Sequence, residues 1–160
     1  MMKKQWKLNT VIGKLFIVAS PKGITGIYFN EQDVPFAKSL QGREKASLIL
    51  RTTVLQLKEY FSGKRQKFTL PMDIESAEFS KKVWMELKKI PYGSTRSYKD
   101  IAEKINHKNA YRAVGTANGK NPICIIIPCH RVIAADGSIG GYTGGIHIKK
   151  KLLQLESLYK

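Results

Sequence analysis

Strand-forming residues crowd one end of this chain, and that asymmetry limits the available folds more than any other feature. Three runs rich in β-branched and aromatic residues, "WKLNTV", "GKLFIVAS" and "GITGIYFN", lie within the first 30 positions. Pro21-Lys22-Gly23 separates the last two as a turn, so a hairpin or meander is expected. Residues 44–63 then carry apolar side chains at three-and-four spacing and stop at Gly63, the pattern of an amphipathic helix. "QKFTLPMD" would return one more strand, closed by Pro71, and a domain boundary is expected near residue 75.

Beyond that boundary helices take over. "SAEFSKKVWMELKKI" aligns Phe79, Val83, Trp84, Leu87 and Ile90 on one face and ends at "PYG". "STRSYKDIAEKI" supplies a short helix, "NHKN" a break, and "AYRAVGTANG" a second helix stopping at Gly119. Helix, tight break, helix is the outline of a helix-turn-helix. A last helix over roughly 147–158 sets Leu152, Leu153 and Leu155 around Glu156. The expected organisation is α/β, with a strand-and-helix supporting domain over 1–75 and a helical domain over 76–160.

Charge narrows the partners. Lys and Arg number 28 against 12 Asp and Glu, a formal net charge of +16, so a polyanion is expected. The excess is even: residues 1–74 hold 13 basic and 5 acidic residues, and residues 75–160 hold 15 and 7. Charge therefore does not locate the binding face. No apolar stretch approaches the ~20 residues needed to span a bilayer. The basic start "MMKKQWKLNT" lacks the apolar core of a signal peptide, so a cytoplasmic protein without membrane partners is expected. Two cysteines, Cys124 and Cys129, make no disulfide framework, and His107, His130 and His147 form no zinc spacing with them.

The chemistry gathers at "NPICIIIPCHRVIAADGSIGGYTGG", residues 121–145. Cys124 sits inside an apolar run that reads as a buried strand. Cys129 ends that run behind Pro128 and is followed by His130 and Arg131. A thiolate is a strong nucleophile near neutral pH, and a base or cation beside it raises its population. Neighbours in a strand point to opposite faces, so Cys129 and His130 would cooperate only where the chain turns. The residues alone leave open a catalytic thiol and a core cysteine followed by a surface His-Arg.

"IPCHRVI", with "NP" before it and "GGYTGG" after it, closely resembles the O6-alkylguanine-DNA alkyltransferases, the methylated-DNA–protein-cysteine methyltransferases. The resemblance extends through "FSKKVWMELKKIPYGSTRSY", "YRAVGTANGKNP" and "KKKLLQLE", covering roughly residues 78–156 in consistent order. It implies a small RNase H-like β-sheet-plus-helix domain packed on a helical, winged-helix-like DNA-binding domain. It further implies repair in which Cys129 accepts an alkyl group from O6 of guanine in duplex DNA, once per molecule. O4-alkylthymine is a second candidate substrate.

Residue by residue, the resemblance makes His130 the base, acting through a water, and Glu156 the carboxylate that orients it. Asn121 would brace the turn carrying the nucleophile, and Tyr98 would donate to N3 of the leaving guanine. Reaching O6 requires the nucleotide to leave the stack. Arg112 matches the family's arginine finger, which fills the gap from the minor groove, and small Ala113 and Gly115 would let their helix approach the DNA backbone. Val132, Tyr142, Thr143 and Gly144 would wall the pocket. Thr143 stands where relatives often have serine, and Asn118 where some carry a larger apolar residue. No cofactor and no metal are expected, and a monomer associated with the nucleoid is. Two other classes remain open on sequence: a Cys-His hydrolase that turns over, and a DNA-binding sensor without chemistry.

Overall fold

The computed structural model describes residues 2–160 and divides into two compact units, one ending at Glu75 and the other starting at Ser76. In the first, β1 (Lys4–Thr10), β2 (Gly13–Ser20) and β3 (Gly23–Tyr28) form an antiparallel meander in the order β1-β2-β3. Gly13 turns the first hairpin at φ 110°, a conformation that costs a side-chain-bearing residue dearly. β2 is buried along most of its length, and α1 (Lys45–Phe61) lays Leu50, Val54, Leu57 and Tyr60 against the sheet. Leu15, Ile17, Ile24, Leu50, Leu57 and Tyr60 are fully buried, so this unit has a core of its own.

The strand expected in "QKFTLPMD" does not form. That segment makes only an isolated parallel bridge, Met72 with Ile24, as Ile24 donates to Pro71 O and Asp73 donates to Ile24 O. Pro71 has no N–H to extend a ladder, and Asp73 is drawn to the Ser20 hydroxyl at 2.6 Å.

In the second unit α2 (Glu78–Leu87) packs on α3 (Tyr98–Lys104) and α4 (Tyr111–Gly119). Val83, Trp84, Leu87, Ile101, Ala102 and Val114 form the shared core, and the Trp84 indole donates to Ala117 O at 2.9 Å. Residues 94–97 are not helical as expected. Arg96–Ser97 is a short strand, β4, paired in parallel with β5 (Val132–Ile133). Ser97 then starts α3 through a reciprocal capping box with Asp100. The break before α4 spans residues 105–110, with Asn106 in the left-handed region at φ 62°. Asparagine tolerates that conformation better than most residues. α5 (Ile146–Tyr159) closes the chain. No helix among the described residues is long and apolar enough to cross a membrane.

Candidate active site around Cys129

The apolar run before Cys129 is not a strand. Residues 123–127 form a buried tight turn in which Ile127 N donates to Ile123 O at 2.9 Å. Ile125 sits there at φ 74°, a conformation rare for a β-branched side chain. Asn121 holds both ends of this turn. Its Nδ2 donates to Ile127 O at 2.7 Å, and its Oδ1 accepts from Ile123 N at 3.0 Å. Pro128 follows, and Cys129 opens a one-turn 3-10 helix, Cys129–Arg131, that runs into β5. In this turn Cys129, His130 and Arg131 are all buried, Cys129 lining a cavity while His130 and Arg131 meet at Glu156.

Cys129 is 5% exposed. Burial pushes its thiol up to about 11, against the opposing pull of the Asn121 hydrogen bond and the Lys149 charge. At neutral pH the group is therefore a thiol, and any attack on carbon must be accompanied by removal of its proton. Burial also raises Cys124, further than Cys129, and Tyr142 hydrogen-bonds to it.

His130 stands next in the chain. His130 is fully buried, with Nε2 2.6 Å from Glu156 Oε2 and Nδ1 without a hydrogen-bond partner among the described residues. Burial lowers the affinity of this ring for a second proton, and the hydrogen bond and charge of Glu156 only partly offset it. A carboxylate accepts, so Nε2 carries the proton of the neutral ring and Nδ1 offers the lone pair. Burial alone would push the Glu156 carboxyl up. Hydrogen bonds and charges from His130 and Arg131 outweigh it and hold the group well below the usual carboxylate range.

Linkage to stability follows from the His130 shift. The ring is harder to protonate in the native protein than at its ordinary value of 6.5. Its contribution is complete above that pH and is lost as pH falls, because the unfolded chain binds the proton first. The loss approaches about 1.4 kcal/mol per pH unit. Urea unfolding followed downward from about pH 7 should register this slope in the unaltered protein and lose it in His130→Gln. An identical slope in both proteins would assign the acid sensitivity elsewhere.

The opposite wall comes from α5 and the glycine-rich loop. Lys149 is fully buried, and its ammonium donates to Val132 O at 2.6 Å and Gly141 O at 3.1 Å. It thus ties β5, which follows Cys129, to the loop, and burial lowers it to about 8. Gly140 takes φ 74° and passes so close that a Cβ would lie 2.9 Å from the Tyr98 hydroxyl. Thr143 Oγ1 donates to Gly119 O at 2.9 Å and so fastens the loop to the end of α4.

Between these walls lies a cavity of about 400 Å³ lined by Tyr98, Gly115, Asn118, Gly119, Cys129, Gly141, Tyr142 and Thr143. That volume suits a flat heterocycle. Burial first, and the Cys129 charge second, raise the Tyr98 phenol, which therefore stays a donor. Asn118 Nδ2 donates to Cys129 O at 3.4 Å, leaving its Oδ1 buried without a partner among the described residues. A larger groove beside α2 and α3, lined by Glu86, Lys89, Arg96, Asp100, Glu103 and Lys104, holds no nucleophile.

Of the residues singled out in the sequence, Cys129, His130, Glu156, Asn121, Tyr98, Tyr142 and Thr143 come together here. Val132 is buried beneath them and contributes its carbonyl to Lys149, while Gly144 follows in the loop. Arg112 and Ala113 are exposed at the start of α4, and Gly115, half-buried, faces the Tyr98 ring. Sequence reading missed Lys149 and the partner of Arg131. Lys149 falls on one helical stripe with Leu152 and Glu156, a spacing that marks it as inward-facing.

Two family models match the chain. The 6-O-methylguanine DNA methyltransferase DNA binding domain matches residues 78–158, and the ribonuclease-like domain of the same family matches 5–74. A methylated-DNA–protein-cysteine methyltransferase of Methanosarcina barkeri is 44% identical over 149 residues, spanning 88% of this chain and 94% of its own. One from Mycolicibacterium paratuberculosis is 52% identical, covering 93% and 89%. The crystal structure of Mycobacterium tuberculosis OGT in complex with DNA superposes with a TM-score of 0.86 at 37% identity, covering 99% of this chain and 94% of that one.

Proposed function

The chain belongs to the 6-O-methylguanine DNA methyltransferase family, and from that premise we propose that it repairs duplex DNA by taking the alkyl group of O6-alkylguanine onto its own Cys129. The observation that carries the reading is a buried thiol lining a base-sized cavity, next in the chain to a buried histidine whose Nδ1 has no hydrogen-bond partner among the described residues.

The step balances with the groups present. The Cys129 S–H bond breaks, its proton passes to His130 Nδ1 through a water, and the sulfur electron pair forms the new S–C bond. The C–O6 bond breaks with its pair moving to guanine, and the Tyr98 phenol donates to N3 of that leaving base. Lys149 favours the developing thiolate electrostatically. Asn121 keeps the turn from shifting as the sulfur changes charge. The product is a thioether, which water does not cleave under ordinary conditions, so each molecule acts once and no cofactor takes part. O4-alkylthymine, with an alkyl group on the corresponding oxygen of a smaller ring, is a second substrate candidate.

A carbon on O6 within the stack cannot approach a thiol that is 5% exposed, so the nucleotide must be extruded. In this reading Arg112 fills the gap, and its exposure on the first turn of α4 supports that role. The test is intact mass after mixing with an oligonucleotide containing O6-methylguanine. A gain of one methyl per protein supports the proposal, turnover without mass gain supports a hydrolase, and no change supports a sensor.

Arg112→Ala should separate extrusion from chemistry. Losing the prop exposes part of an unstacking cost of a few kcal/mol, and each ~1.4 kcal/mol slows the reaction roughly tenfold. Single-turnover repair of duplex should fall accordingly, while the rate with free O6-benzylguanine, which has no stack to leave, should hardly change. Equal losses on both substrates would mean that Arg112 supports the pocket rather than the DNA.

A further inference from the structure

Behind His130 the second unit buries a cation that the transfer step does not itself use. Arg131 is 5% exposed, and its Nε and Nη2 donate to Glu156 Oε1 and Oε2 at 2.8 and 2.9 Å. Its Nη1 donates to Ile90 O at 2.8 Å, and the guanidinium lies 5.6 Å from the centre of the Tyr92 ring. Gly93 N adds a fourth donor to Glu156, at 3.3 Å from Oε1. The carboxylate that serves the histidine is therefore gripped on both oxygens by a planar fork, itself anchored to the turn after α2. A bidentate pair of this kind fixes orientation as well as charge.

We propose, on the reading that Cys129 is the alkyl acceptor, that Arg131 is a positioning residue for proton removal from that thiol. Its grip on Glu156 fixes which nitrogen of His130 is free to take the proton. With the carboxylate plane locked, Oε2 stays aimed at Nε2, and the Nδ1 lone pair remains for the thiol proton. Charge acts in the same direction. The groups facing His130 are Glu156 and Lys149 on α5 and Arg131 and Cys129 in its own turn, while Tyr92 in the turn after α2 stacks near Arg131. A carboxylate already shared with a guanidinium cannot hold the ring as an imidazolium at rest, so the base stays available as pH falls.

The test is the pH dependence of single-turnover transfer from free O6-benzylguanine. Arg131→Met removes cation and grip together. The ring should then protonate more readily, and the acid limb of the profile should move to higher pH by roughly one unit or more. Arg131→Lys keeps the charge and loses the fork, so the limb should stay while the plateau rate falls about tenfold or more. A limb unmoved in Arg131→Met, with only a uniform fall in rate, would reduce Arg131 to a scaffold and overturn the proposal. Should these variants fail to fold, the ring nitrogens of His130 in the unaltered protein decide by NMR. A neutral ring protonated on Nε2 at about pH 7 is expected, and an imidazolium or the opposite tautomer overturns the idea. Failure of the acceptor reading looks different: the unaltered protein would then gain no alkyl group at any pH.

Discussion

Replacing Cys129 with Ala should abolish alkyl transfer outright: the variant mixed with O6-methylguanine DNA is expected to keep its mass, while its affinity for duplex stays nearly unchanged. The substitution deletes one sulfur at the floor of the cavity and leaves the exposed face of α4 intact. Cys124 cannot take over. Burial holds its thiol further towards protonation than that of Cys129, and no base follows it in the chain. Intact mass spectrometry and a binding isotherm measure the two halves of this expectation. Peptide mapping of the unaltered protein should put the alkyl group on Cys129, and a label on Cys124 would refute the assignment.

The second large effect is on stability. Glu156→Gln keeps the shape of the side chain but removes the carboxylate that Arg131 and His130 share. The guanidinium is then buried without its counter-charge, and the amide turns N–H groups towards donors. Breaking a buried pair from one side costs about 3–5 kcal/mol. Glu86→Gln is the control, since it breaks an i,i+3 contact to an exposed Lys89, and should cost less than about 1 kcal/mol. Urea midpoints compare the two. Similar small losses for both would mean that the Glu156 cluster relaxes into solvent and stores no electrostatic energy.

These effects also mark what sequence can and cannot display. The meander and α1 were readable because each fills its period with β-branched or three-and-four-spaced apolar residues, and propensity agrees with packing there. The run at 123–127 misled because a short apolar stretch has no period of its own. Only Asn121, reaching across to Ile123 and Ile127, converts it into a turn. "QKFTLPMD" misled for a related reason: Pro71 withholds the donor that a ladder needs. In the site, Cys129 and His130 stood out as neighbours, and Glu156 through the resemblance. Lys149 did not, hidden as one lysine of three in "KKK" when only the helical stripe separates the buried ammonium from its exposed neighbour Lys150. Nor did "PYG", which reads as a helix stop and also supplies Tyr92 and Gly93 to the carboxylate cage.

Trp84 and Asn118 give α4 a further property, that of a gauge. The helix carries Arg112 at one end and the cavity wall, Gly115 to Gly119, at the other. Trp84 pins it to the core at Ala117, and Asn118 links it to the backbone of Cys129. From Arg112 to Asn118 the rise is about 9 Å at 1.5 Å per residue, and it cannot stretch. On the proposed reading, in which Arg112 fills the gap left by an extruded base and Cys129 takes the alkyl group, the distance between the two is set before any DNA arrives, and a displaced base would be accepted only if its offset from the gap matches that length. Inserting one alanine after Gly115 would lengthen the gauge by about 1.5 Å and swing Arg112 through about 100°. Duplex repair should then collapse while free O6-benzylguanine still reacts, and parallel loss of both rates would show that the helix serves the cavity alone.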